Sequence, residues 1–158
     1  PIGSLKHAMV YMGEAELKKF IALLALANLS EDNGSELLNM SMVRARFCDL
    51  LAQMNHDPEN PPSAFLTGLF SLVDALLEQP LANLLEDLPI LPEIKAALVA
   101  HQGKLGLYLE IAKAFEQADW ELQQQLAQKL FGKPIDLSPS YLQAVDWAHG
   151  LLMTASGQ

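Results

Sequence analysis

Cysteine is almost missing from this chain: Cys48 stands alone among 158 residues, so an internal disulfide is excluded. It lies in the apolar run Phe47-Cys48-Asp49-Leu50-Leu51. That setting predicts a small core residue in a reducing, cytoplasmic compartment. Charge is sparse as well, at 18% of residues, and leans to one sign: 10 Lys and Arg against 19 Asp and Glu, for a formal charge of -9. So few cations cannot neutralise a row of phosphates, which argues against nucleic acid and against anionic membrane surfaces as partners. No apolar run reaches the roughly 20 residues that span a bilayer. No signal-peptide pattern opens the chain, and no segment alternates like a half-buried strand. The first residue is Pro1 rather than methionine, which points to a piece of something longer.

What is present is apolar material, 51% of the chain, arranged with helical period. Gly13 precedes a stripe of Leu17, Phe20, Ile21 and Leu24. A loop at residues 30–34 leads to Ser35, a candidate N-cap, with Glu36 in the first turn where negative charge suits the helix dipole. Val43, Phe47, Leu50, Leu51 and Met54 then share one face. Residues 55–62, with Pro58, Pro61 and Pro62, cannot continue that helix. The most apolar stretch follows and predicts one helix over 64–78 at the centre of the fold. Its polar stripe is Thr67, Ser71, Asp74 and Glu78, so Thr67→Ala is expected to cost little beside Leu69→Ala. Further helices are read from Pro80 to near Pro89, and from Pro92 to Gly103. Others carry Tyr108, Ile111, Ala112 and Phe115, then Leu122, Leu126 and Leu130 after an Asp119 cap. The last opens at Ser138-Pro139 with Tyr141, Val145, Ala148 and Leu152 in register. The expected class is all-α, one domain over residues 1–158, built from about eight or nine helices.

Chemistry-bearing constellations are scarce. His7, His56, His101 and His149 have no second ligand at metal spacing on a helix face. The dipeptide His56-Asp57 falls in a proline-rich loop and reads as solvated. Ser71 and Asp74 are three residues apart on a helix, but no histidine stands beside Ser71 to serve as base. Arg44 and Arg46 flank a core stripe; Arg46 can pair with Asp49, and an anion-binding role is the alternative. Gly103, Lys104 and Gly106 lack phosphate-loop spacing. Trp120 and Trp147 read as core or edge packing. No catalytic, cofactor-binding or metal residue is assigned, and no cofactor is expected.

The segment Pro1-Ile2-Gly3-Ser4-Leu5-Lys6-His7-Ala8-Met9-Val10-Tyr11-Met12-Gly13 resembles the middle of HDOD domains, relatives of the metal-dependent HD and HD-GYP phosphohydrolases. Val43-Arg44-Ala45-Arg46-Phe47-Cys48, the stretch from Ala64 to Asp74, the leucines between Leu81 and Leu88, and Tyr141-Leu142-Gln143-Ala144-Val145-Asp146-Trp147-Ala148 extend the likeness. Together they are similar to the HDOD part of bacterial EAL-HDOD signalling proteins. In catalytic relatives, the resemblance implies Gly-Leu-Leu-His-Asp where this chain has Gly68-Leu69-Phe70-Ser71-Leu72. Leucine cannot ligate a cation.

The resemblance therefore implies an HD-superfamily-like bundle that is not an enzyme: a regulatory, protein-interaction module linked to cyclic di-GMP signalling. It would lack its N-terminal helices and an upstream EAL domain. A metal-dependent phosphohydrolase with another ligand set is the alternative, and a small-ligand sensor a third. Leu5, Met9, Val10, Leu17, Phe20, Ile21, Leu23 and Leu24 exceed one buried stripe. They predict contact with a protein partner or self-association, most simply as a homodimer.

Overall fold

Helix α1, Ser35–Met54, begins where Ser35 and Glu36 are expected to start it. Its apolar face holds Met42, Val43, Phe47, Leu50 and Leu51, all buried. Yet Ser41, Ala45, Cys48, Asp49 and Ala52 on its other sides are buried too. Small side chains let neighbouring helices close around α1, and α2, α6 and α8 do so. α1 is therefore the central helix, a place that hydrophobicity alone assigns to residues 64–78. The computed structural model describes residues 35–57, 62–77, 80–86 and 90–155, and all that follows concerns these. The apolar residues between Leu5 and Leu24 lie outside them.

The stretch expected as one helix over 64–78 is two: α2, Ser63–Phe70, and α3, Val73–Leu77, separated by a turn at Ser71 and Leu72. The cause is local. A continuing helix needs the Gly68 carbonyl for the Leu72 N–H. Here the Ser71 backbone N–H donates to that oxygen at 3.3 Å, and the Ser71 hydroxyl donates to it at 2.7 Å. Hydroxyls that bond back in this way compete with helix continuation.

The same helix sits rotated from its expected setting. Thr67 is fully buried (0% exposed), and its hydroxyl donates to the Ser63 carbonyl at 2.7 Å. Pairing within its own helix lets Thr67 face the core without an orphaned polar atom. Leu69→Ala should lower unfolding free energy by about 2–5 kcal/mol. Thr67→Ala should lose about 1–2 kcal/mol rather than almost nothing, because a buried methyl and a satisfied hydroxyl both go. Urea titration of the two variants checks the pair; a neutral Thr67→Ala would restore the solvent-facing orientation.

Shorter helices complete the bundle: α4, Leu81–Glu86; α5, Pro92–Ala100; α6, Gly103–Glu116; α7, Trp120–Phe131; and α8, Ser138–Ala155. The starts of α5 and α7 follow their cues. Pro92 occupies the first turn of α5. The Asp119 side chain caps α7 by accepting from the Leu122 N–H at 3.1 Å. α5 ends in a left-handed His101, two residues before the expected Gly103, and Gly103 opens α6 instead. Tyr108, Ile111, Ala112 and Phe115 bury the expected face of α6. A satellite core of Ile94, Leu98 and Leu109 joins α5 to α6. The described residues are helical with no strand, so the class is all-α. No helix among them is long and apolar enough to cross a membrane.

Candidate functional site

Arg44 projects from α1 toward the break between α2 and α3. Its Nε and Nη2 donate to Oε2 and Oε1 of Glu116, both at 2.7 Å, and its Nη1 donates to the Ser71 hydroxyl at 3.1 Å. This is a bidentate guanidinium–carboxylate pair with planar geometry. The side chains of Arg44 and Glu116 are 8% and 16% exposed. The cluster ties the middle of α1 to the end of α6 and to the α2–α3 turn. Three of the five guanidinium N–H donors are held within this cluster. Ser71 is bound to Arg44 and Gly68 rather than to Asp74, which accepts from its neighbour's N–H at 2.9 Å.

Tyr141 of α8 lies beside this pair. Its ring stacks on Phe115 at 4.8 Å and meets Phe47 edge-on at 5.1 Å. Burial raises its hydroxyl above the usual tyrosine pKa of 10.0, and the Glu116 carboxylate adds to the rise while Arg44 opposes it. A raised folded-state pKa means the folded chain holds the proton more tightly. The associated stability is complete below pH 10.0, the unfolded value, and is lost as pH climbs through the folded value. Wild type should therefore lose stability in strong alkali more steeply than Tyr141→Phe. Denaturant midpoints across the alkaline range, with tyrosinate absorbance as the titration monitor, check this. Parallel curves would remove Tyr141 from the account.

A second polar cluster surrounds Asp57, just after α1. Lys104 donates to Asp57 Oδ1 at 2.9 Å, and the Tyr108 hydroxyl donates to Oδ2. Asn55 donates to the Tyr108 oxygen at 3.2 Å. A cavity of about 270 Å³ opens beside them, with Ser63, Glu93 and Gln102 on its walls. Asp57 is therefore more than a solvated loop residue: it anchors the chain after α1 to α6. With both oxygens engaged, it positions these groups rather than serving as a free base.

The remaining candidates are scattered. Exposed His101 pairs with Glu110 at 3.1 Å, and Lys113 shares that carboxylate at 3.5 Å. His56 and His149 are exposed and far apart in sequence, and His7 lies outside the described residues. Arg46 pairs with buried Asp49 at 3.0 Å, as its spacing predicts. Trp147 packs edge-on against Phe65 at 6.0 Å. Cys48 is fully buried. Among the described residues, no three His, Cys, Asp or Glu side chains gather as a group that could hold a metal ion. Glu116 carried no cue in the sequence, because its partner lies 72 positions away.

No protein-family model matches the chain, and no solved structure matches it significantly. Two curated proteins do. Cyclic di-GMP phosphodiesterase CdgJ of Vibrio cholerae is 35% identical over 150 residues, covering 95% of this chain and 35% of that protein. YuxH of Bacillus subtilis, an uncharacterized protein, is 32% identical over 154 residues, covering 96% of this chain and 37% of its own length. The chain thus spans about a third of the relatives it matches. The first of them corrects the expectation of a non-enzyme: a protein similar along nearly all of this chain is named as a phosphodiesterase. That expectation rested on Ser71-Leu72 standing in place of a His-Asp pair.

Proposed function

We propose that this chain is the regulatory, protein-contacting segment of a cyclic di-GMP phosphodiesterase. In this reading it is an HDOD-type bundle that works joined to an EAL domain. The observation that carries it is the 35% identity to CdgJ along 95% of the chain. The resemblance of residues 1–13, 43–48, 64–74 and 141–148 to EAL-HDOD proteins agrees with it. The Arg44–Glu116–Ser71 cluster suits a regulatory part, since it locks three helices in one arrangement that a contact could bias. The segment's partner is the remainder of its own polypeptide or a second copy.

The test uses the full-length protein. It should hydrolyse cyclic di-GMP, and deletion of residues 1–158 should change kcat or KM severalfold. Absence of turnover in every form would overturn the phosphodiesterase assignment. Turnover with unchanged kinetics after deletion would overturn the regulatory role.

A further inference from the structure

Neither proline nor glycine stands at the break between α2 and α3, where residues 69–73 read Leu-Phe-Ser-Leu-Val. Helices kink without them where a side chain inserts into the backbone ladder. The Ser71 hydroxyl does so by donating to the Gly68 carbonyl at 2.7 Å. The backbone has hardly left the helical region. Ser71 sits at φ −66° and ψ −18°, and its N–H bonds three residues back, as in a 3₁₀ turn. The apolar stripe also runs through the break. Phe65, Leu69 and Val73 are spaced by four and all are buried. A single helix over 63–77 would turn the same three side chains to the core. The broken and the unbroken forms therefore differ by little backbone and share one core-facing stripe.

One more contact decides between them. Arg44 Nη1 donates to the Ser71 oxygen at 3.1 Å, which leaves the hydroxyl proton aimed at Gly68. Charged donors of this kind make the stronger hydrogen bonds. Glu116, the last residue of α6, holds Nε and Nη2 of the same guanidinium, both at 2.7 Å. We infer that the α2–α3 junction is a two-state joint and that Arg44 is its latch. With Arg44 on Ser71 the helix is broken. With Arg44 withdrawn, the Leu72 N–H takes the Gly68 carbonyl, and α2 and α3 become one helix. α4 packs on α3 and moves with it. The latch is worked from the end of α6. The corner after Glu116, residues 117–120, is exposed, and Ala118 stands there at φ 55°, a left-handed conformation that is strained for alanine. A protein contact that lets this corner relax shifts Glu116 and draws Arg44 from Ser71. The joint stands on the geometry above; that such a contact works it rests on the proposed regulatory role.

Hydrogen–deuterium exchange of the full-length protein tests the joint, because the direction of the change separates a fused helix from a merely weakened one. In one helix the N–H groups of Leu72, Val73 and Asp74 donate to the carbonyls of Gly68, Leu69 and Phe70. The turn at 71–72 interrupts that ladder. Ser71→Ala removes the hydroxyl and both its bonds. It should slow exchange at residues 72–74 by about tenfold or more, with residues 43–52 of α1 unchanged. Ser71→Thr keeps a hydroxyl and should exchange as wild type does. Arg44→Lys keeps a charge beside Glu116 but cannot hold both partners, and it should slow the same amides by about threefold or more. Faster or unchanged exchange at 72–74 in Ser71→Ala would mean that packing rather than the hydroxyl sets the break, and overturns the joint. Equal slowing in Ser71→Thr does the same. Slowing in Ser71→Ala without any in Arg44→Lys overturns the latch. Cyclic di-GMP turnover is read separately on the same protein: its absence strikes the proposed function and leaves the exchange result standing.

Discussion

Gly68→Ala is expected to destabilise the chain by about 3 kcal/mol, the upper end of the overpacking range. The direction is the informative part. In an exposed helix the same change would stabilise by up to about 1 kcal/mol, because alanine is the better helix former. At Gly68 a Cβ would sit 2.5 Å from the Arg44 carbonyl carbon and 2.7 Å from Ala45 Cα, and closer still to the Arg44 oxygen. Those atoms are backbone, so no rotamer change can relieve the overlap and α1 and α2 must separate. Separation would also pull Arg44 away from Ser71. Gly150→Ala is the internal control: it too lies in a helix, and an added Cβ meets nothing within 4 Å. Denaturant titration should move the two midpoints in opposite directions. A stabilised Gly68→Ala would mean that α1 and α2 do not meet at that point.

Arg44→Ala is expected to cost about 3 kcal/mol or more. Removing one partner of a buried ion pair strands the other, and that typically costs about 3–5 kcal/mol. The lower figure applies because Glu116 keeps 16% of its side chain in contact with solvent. Arg44→Lys should rescue only part of the loss, since an ammonium cannot engage both Glu116 oxygens and Ser71 in one plane. Arg44→Met combined with Glu116→Leu should recover most of it, because two apolar side chains leave no charge unpaired. Unfolding free energies of the two singles and the double form a cycle that isolates the pairing. Additive losses would show that Arg44 and Glu116 do not depend on one another.

The two variants together say why the site is only partly legible beforehand. Val43, Phe47, Leu50 and Leu51 announce a core face by their spacing, and they are buried as that spacing requires. Arg44 beside them gives no such sign. A charged residue on a helix is ordinarily solvated, and only Glu116, 72 residues away, makes its burial tolerable. Tyr108 is similar: its face is predicted by Ile111 and Ala112, but its hydroxyl partner Asp57 sits in a loop read as solvated. Gln123 looks like one polar residue among several on α7, and its burial depends on what packs beside it. The enzyme correction has another cause, for it rests on likeness to CdgJ along the whole chain and not on any one residue.

By itself the sequence determined the class and the punctuation. Period-3.6 apolar patterning dictates helices, and Pro92 and Asp119 set starts. These are local or compositional properties, decided within a turn or two of the residue concerned. The tertiary structure alone decided which helix is central, that Thr67 turns inward, and that Arg44 finds Glu116. Each of these depends on distances between residues remote in sequence. Burial and pairing across such distances arise only when α1, α2, α6 and α8 close on one another.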